Sequence, residues 1–256
     1  MPLQNSRLHT VWMTIRGRRV RCRILDTPRT FGPPLLLVHG LAGSASVWGP
    51  FIKRLRNCGY TALAPDLPGS GYSDGSEGPL GVDGMADWIA ELLEARGISQ
   101  THVVAHSLGS QVALALARRH PDRVARLVLA GPTLGHQISI WRYALGAVDV
   151  FREPPIFNLL AAWMFAQMGP QRYWEAVRHM HRDNPLRDIS LVHAPCLVLR
   201  GTHDAVIPET SARNFAARLP HGVFEPIPGA PHVAPYATPD ALISLALPFL
   251  DTLRRL

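Results

Sequence analysis

The chain has 256 residues, 47% of them apolar and 18% charged, the proportions of one globular domain at the large end of the size range rather than of a disordered chain. Its 26 basic residues against 19 acidic give a net charge of +7. Lys53 is the single lysine, so the excess is arginine, and its scatter along the chain fits a solvated surface better than a nucleic-acid or anionic-membrane patch.

From the N-terminal side, His9 to Ile15 and Arg19 to Asp26, separated around Gly17, predict an antiparallel hairpin. Within it Arg16, Arg18, Arg19, Arg21 and Arg23 alternate at their end with Val20, Cys22 and Ile24, the pattern of a solvated edge strand. The apolar strand Leu35 to Val38 follows, then a helix from about Ala45 to Asn57, stopped near Gly59, and a strand from Thr61 to Ala64. A Gly/Ser/Asp-rich loop, Asp66 to Gly81, leads to a helix from Asp83 to Arg96. Next come a strand Thr101 to Ala105, a helix Leu108 to Arg119 and a strand Val124 to Ala130. Alternation of short apolar strands with helical patterns calls for a parallel sheet covered on both faces.

Between Pro132 and Ser190 the pattern changes. Three helical stretches punctuated by Pro154-Pro155, Gly169-Pro170 and Pro185 read as a helical insertion. It holds eight of the nineteen aromatic residues, which suggests an apolar underside, with Trp141, Phe157 and Trp163 as candidate substrate contacts. The alternation resumes with the strand Cys196 to Arg200, a helix Glu209 to Arg218, the strand Val223 to Ile227 and a last helix from Pro239 to Leu253. The expected organisation is thus a core of residues 1–131 and 191–256 with a helical cap of residues 132–190.

Three cysteines, Cys22, Cys58 and Cys196, show no CxxC or paired spacing, which argues against a disulfide framework and structural zinc and for a reducing compartment. No run approaches the ~18 apolar residues of a membrane span. A soluble, cytoplasmic protein is expected, with no nucleic-acid partner and no stable membrane insertion; the oligomeric state is not legible.

The chemistry concentrates in Val103-Val104-Ala105-His106-Ser107-Leu108-Gly109-Ser110, an apolar strand that runs through small-x-Ser-x-small directly into a helix. That is a nucleophile elbow: a sharp turn holds the serine hydroxyl above the sheet, with small neighbours because strand and helix nearly touch there. A serine needs a base, and the base an orienting acid. Asp204 stands just past a buried strand, and His232 in a loop before the last helix. No acidic residue occupies positions 131–140, which leaves the acid site after the preceding strand vacant. Among twelve histidines, His106 sits beside the nucleophile but should point away from it, His203 neighbours the acid, and His120, His179 and His181 lie in helix-end or insertion segments; position favours His232. His39-Gly40-Leu41-Ala42 follows the first core parallel strand, where the Leu41 amide and the Leu108 amide would form an oxyanion hole.

The segments HGLAGSASVW, APDLPGSGYSD, VVAHSLGSQVALALA, LVLRGTHDAVIP and GAPHVAPYATPD resemble the successive signature segments of the capped α/β-hydrolase superfamily, over nearly the whole chain outside the insertion. The resemblance implies an eight-stranded, mostly parallel sheet with helices on both faces, a helical cap inserted after strand six, and no required cofactor or metal. It implies Ser107 as nucleophile, Asp204 as acid, His232 as base, and Leu41 and Leu108 as oxyanion donors. Asp66, Gly69, Gly71, Ser73 and Asp74 match a loop that is structural in the family; lacking a third glycine, it is no dinucleotide fingerprint. Related dehalogenases and epoxide hydrolases carry aspartate at the elbow, so serine points to acyl transfer. The expected function is hydrolysis of carboxylic esters of small-to-medium apolar substrates through an acyl-enzyme. A carbon–carbon bond hydrolase or an acyltransferase would use the same triad, and a ligand-binding receptor with slow or no turnover is the alternative of another class.

Overall fold

The protein is described by a computed structural model over residues 6–28, 30, 32–75, 80–137, 139, 141 and 153–251. Eight strands form one sheet: β1 (Arg7–Ile15), β2 (Arg18–Asp26), β3 (Leu35–Val38), β4 (Ala62–Pro65), β5 (Thr101–His106), β6 (Val124–Ala130), β7 (Cys196–Gly201) and β8 (Gly222–Ile227). Their order is β1-β2-β4-β3-β5-β6-β7-β8. β2 pairs antiparallel with both β1 and β4, and every other neighbouring pair is parallel. Every residue of β3, β4, β5 and β7 is buried, which is why these strands read as continuous apolar runs: both faces are covered.

The covering helices are α1 (Gly49–Leu55), α2 (Val82–Ala95), α3 (Leu108–Arg119), α4 (Pro155–Met168), α5 (Pro170–Arg182), α6 (Glu209–Arg218), α7 (Ala234–Ala237) and α8 (Pro239–Leu250). The two-residue period of a strand divides the core. Leu36, Val38, Val103, Ala105, Leu127 and Leu129 face a layer containing Ile89 of α2, Val112 of α3 and Phe215 of α6. Leu35, Leu37, Val104, Val128, Leu197 and Leu199 face Phe51 and Ile52 of α1 and Leu242 and Ala246 of α8.

Two expectations need correction. The arginine-rich strand is not at the edge: β1 takes that place, and β2 lies between β1 and β4. Arg21 is accordingly buried, its guanidinium Nε 2.8 Å from Asp66 Oδ2; a period-2 pattern shows that alternate residues differ but not what covers the polar set, here the loop after β4. The first helix is also shorter than expected. Residues Ala45–Trp48 form a 3₁₀ turn and α1 begins at Gly49 with Pro50 in its first turn, where the missing amide costs nothing.

Between β6 and β7 the described residues contain no strand. α4 carries no charged residue and, apart from Asn158 and Gln167, is apolar, so that it buries Phe157 and Met164 yet exposes Ile156 and Leu159. α5 is amphipathic and buries Val177 and Met180. The first of the three expected helical stretches falls largely on residues 142–152, outside the described residues.

Because β3, β5, β6, β7 and β8 run parallel, the residues that follow them gather at one end of the sheet. His39, Ser107, Gly131, Asp204 and His232 therefore meet there, at the carboxyl ends of the strands, where open α/β sheets bind ligands.

Candidate active site

Ser107 joins β5 to α3 with φ 53° and ψ −122°, a conformation that L-residues avoid and that persists only where the surroundings enforce it. Its amide donates to the Ala130 carbonyl (3.0 Å), and its carbonyl accepts from Ser110 N–H (2.9 Å). The turn also requires Gly109: a Cβ there would lie 2.5 Å from the Val38 carbonyl oxygen and 2.6 Å from that of His39. Ala105, the other small neighbour, is fully buried and fits.

The three residues expected to act together do meet. His232 Nδ1 lies 2.9 Å from Asp204 Oδ2 and His232 Nε2 lies 3.2 Å from Ser107 Oγ. A carboxylate only accepts, so Nδ1 carries the imidazole proton and Nε2 presents its lone pair to the serine hydroxyl. The other Asp204 oxygen accepts the amides of Val206 (2.8 Å) and Ile207 (2.9 Å). Burial opposes ionisation of this carboxyl, but His232 and the two amides outweigh it and hold it below the ordinary carboxylate range. Gly131, at φ 55°, makes room for the pair: a Cβ there would lie 3.2 Å from the His232 ring and 3.3 Å from Asp204 Oδ2.

The turn that carries Asp204 is supported from behind by Arg200, which sequence reasoning did not single out. Its buried guanidinium donates to the carbonyls of Ile207 (2.9 Å), Thr202 (3.1 Å) and Asp204, wrapping the turn that carries the carboxylate. The signal available in sequence was an arginine inside an otherwise apolar strand.

On the opposite side of Ser107 runs the loop after β3. It approaches so closely that a Cβ on Gly40 would stand 2.9 Å from the Ser107 Cβ. His39 locks the loop in a neutral tautomer: Nδ1–H donates to the Gly40 carbonyl (2.9 Å), while Nε2 accepts Leu67 N–H (3.0 Å). Asp66 ties the same two loops together, accepting from Ala45 N–H (2.7 Å) and Tyr72 N–H (2.9 Å) besides Arg21. Leu41 and Leu108 both border a cavity of about 400 Å³, which reaches Met168 at the end of α4 and Arg172 and His179 of α5. Leu108 is the first residue of α3, and a first helical amide has no intrahelical acceptor.

The aromatic candidates divide. Phe157 is buried against Tyr236 (ring centroids 5.0 Å apart) beside Val47 and Met164, and Trp163 packs tilted against Tyr72 with ring centroids 5.3 Å apart. Trp141 is 74% exposed. None of the three lines the cavity, whose far wall comes mainly from α5, with Met168 of α4. Composition revealed an aromatic segment; it could not reveal which face of each helix looks inward. Among the described residues no three His, Cys, Asp or Glu side chains come together as metal ligands, and no helix is long and apolar enough to cross a membrane.

The alpha/beta hydrolase fold family matches residues 33–153. A protein of Caulobacter sp. (strain K31) that bears the name carbamate hydrolase RutD is 28% identical over 85% of this chain and 90% of its own length. A 2-hydroxymuconate semialdehyde hydrolase of Pseudomonas putida is 30% identical over 74% of this chain and 77% of its own length. The chain belongs to the α/β-hydrolase family. A bacterial membrane phospholipase A of known structure shares the fold with a TM-score of 0.83 at 20% identity, covering 97% of this chain and 87% of that one. This α/β-hydrolase is thus a hydrolytic enzyme, with an eight-stranded, mostly parallel sheet as its frame.

Proposed function

We propose that the protein is a serine hydrolase that cleaves carboxylic esters of small-to-medium apolar substrates through an acyl-enzyme. The observation that carries this reading is the unbroken line from Asp204 through His232 to Ser107, at 2.9 and 3.2 Å. Ser107 Oγ attacks the ester carbonyl while His232 Nε2 takes its proton. The amides of Leu41 and Leu108 receive the developing oxyanion, and Asp204 steadies the imidazolium. Collapse breaks the bond to the leaving oxygen, which takes the proton from Nε2 and departs as an alcohol. Water then gives a proton to His232 and attacks the acyl-enzyme; the serine oxygen regains that proton and the acid leaves. Residues 132–190 serve as the cap over this site, with Met168 of α4 and Arg172 and His179 of α5 bordering the substrate cavity.

Turnover of p-nitrophenyl esters of increasing chain length tests the reading. The wild-type chain should hydrolyse them, and Ser107→Ala should lower kcat about a millionfold; equal turnover by the variant would remove Ser107 from the chemistry.

A second reading, hydrolysis of a carbon–carbon bond beside a carbonyl, is favoured by the 30% identity to the semialdehyde hydrolase. The same triad suits it. Product analysis with a ring-fission dienoate next to the ester panel separates the two, since only one substrate class should be turned over efficiently.

A further inference from the structure

The residue before the nucleophile, His106, does not simply point away. It is only 5% exposed, and its Nε2 lies 3.0 Å from the main-chain carbonyl oxygen of His232. A carbonyl only accepts, so Nε2 carries the proton and the ring is a donor. Burial pushes this imidazole down to about 3, so it stays neutral at any pH where the enzyme could work. That neutrality matters, because the ring centroid is 5.0 Å from that of His232, the imidazole that becomes cationic during turnover. On its other side, Nδ1 would be 3.1 Å from a Cβ on Gly40. His106 is thus wedged between the oxyanion loop, the nucleophile strand and the base loop.

His232 stands outside regular structure, between β8 and α7. Its own main-chain carbonyl is met by His106, and the next amide, of Val233, donates to Glu153 Oε1 at 3.0 Å. These two side chains grip the peptide unit that follows the base. We propose that His106 is a positioning residue: by donating Nε2–H to the His232 carbonyl it holds the base loop where the imidazole meets Ser107. The inference rests on the assignment of Ser107 and His232 as nucleophile and base. An error of 1 Å in such a placement costs about a hundredfold in rate, so the effect belongs in kcat rather than in KM.

Three substitutions separate the hydrogen bond from packing. His106→Leu removes the donor and keeps bulk. His106→Gln places an amide nitrogen the same number of bonds from Cα as Nε2, whereas His106→Asn is one bond too short. Active sites of the full-length proteins are counted with a fluorophosphonate, and kcat and KM for a p-nitrophenyl ester are expressed per labelled site, with melting curves alongside. The Leu and Asn variants should lose about 10- to 100-fold in kcat per site with KM changed less than about threefold, and the Gln variant should recover most of the rate. If Leu does not fold, the Gln and Asn pair carries the same comparison. A Leu or Asn variant with wild-type kcat per site, or a Gln variant as slow as Asn, overturns the proposal. Failure of the wild type to label at Ser107 would instead overturn the assignment of the nucleophile.

Discussion

The turn around Ser107 and the helix α4 are both built from small and apolar residues, yet they are held in opposite ways. At Ser107 nearly every backbone position is dictated: φ 53° at the serine, a 2.5 Å steric limit at Gly109, and paired loops locked by His39 and Asp66. α4 has a mostly apolar surface, part buried on Val47 and Tyr236 and part exposed. A site needs its reacting atoms fixed to within a fraction of an ångström, whereas a covering helix needs only to exclude water and fit a substrate. The strict geometry is thus concentrated at the sheet end, and the covering helix is bound by packing alone.

Substitutions in the two regions test that contrast. After loss of Ser107 itself, the largest effect is expected for Asp204→Asn, which keeps the shape but puts an NH2 donor where an oxygen accepts from His232 Nδ1; kcat should fall about ten-thousandfold, read in the ester assay. Arg200→Met removes the guanidinium from three carbonyls at once. It should destabilise the fold by about 3 kcal/mol in urea titration and slow turnover by loosening the Asp204 turn.

A smaller effect concerns acid. Burial and the neighbouring Arg126 push His102 down to about 4, and burial pushes His106 to about 3. Each is neutral in the fold but takes a proton near 6.5 when unfolded, so stability falls as pH drops from 6.5 toward those values, by about 1 kcal/mol per pH unit for each group. His102→Leu should flatten the dependence between pH 6.5 and 4, measured by urea midpoints; an unchanged slope would assign it elsewhere. Asp204 acts below that window: its lowered value means stability present above pH 4 and lost as pH falls further. The smallest effect is expected outside the site. Trp141→Ala should change stability by less than about 0.5 kcal/mol and leave kcat untouched, because the ring is mostly in solvent.

The legible part of the molecule was the part whose constraints are local. The strand-to-helix turn at Ala105–Gly109 announces itself in sequence because backbone geometry there admits few residue types, and Asp204 and His232 are marked by their places just past a buried strand and before the last helix. The burial of Arg21 was not legible, since it depends on Asp66 arriving from another loop. Arg200 and His106 escaped for the same reason: their partners are main-chain carbonyls brought near only by the fold. The orientation of Phe157 and Trp163 was hidden by α4 itself, whose mostly apolar residues carry little periodic signal.

The central claim is that Ser107 is made nucleophilic by His232 and Asp204. Incubation with a fluorophosphonate followed by peptide mass analysis tests it most directly. One adduct per chain is expected, at Ser107, formed rapidly in the wild type and far more slowly in His232→Ala. Labelling at another residue, or equal rates in the two proteins, would contradict it.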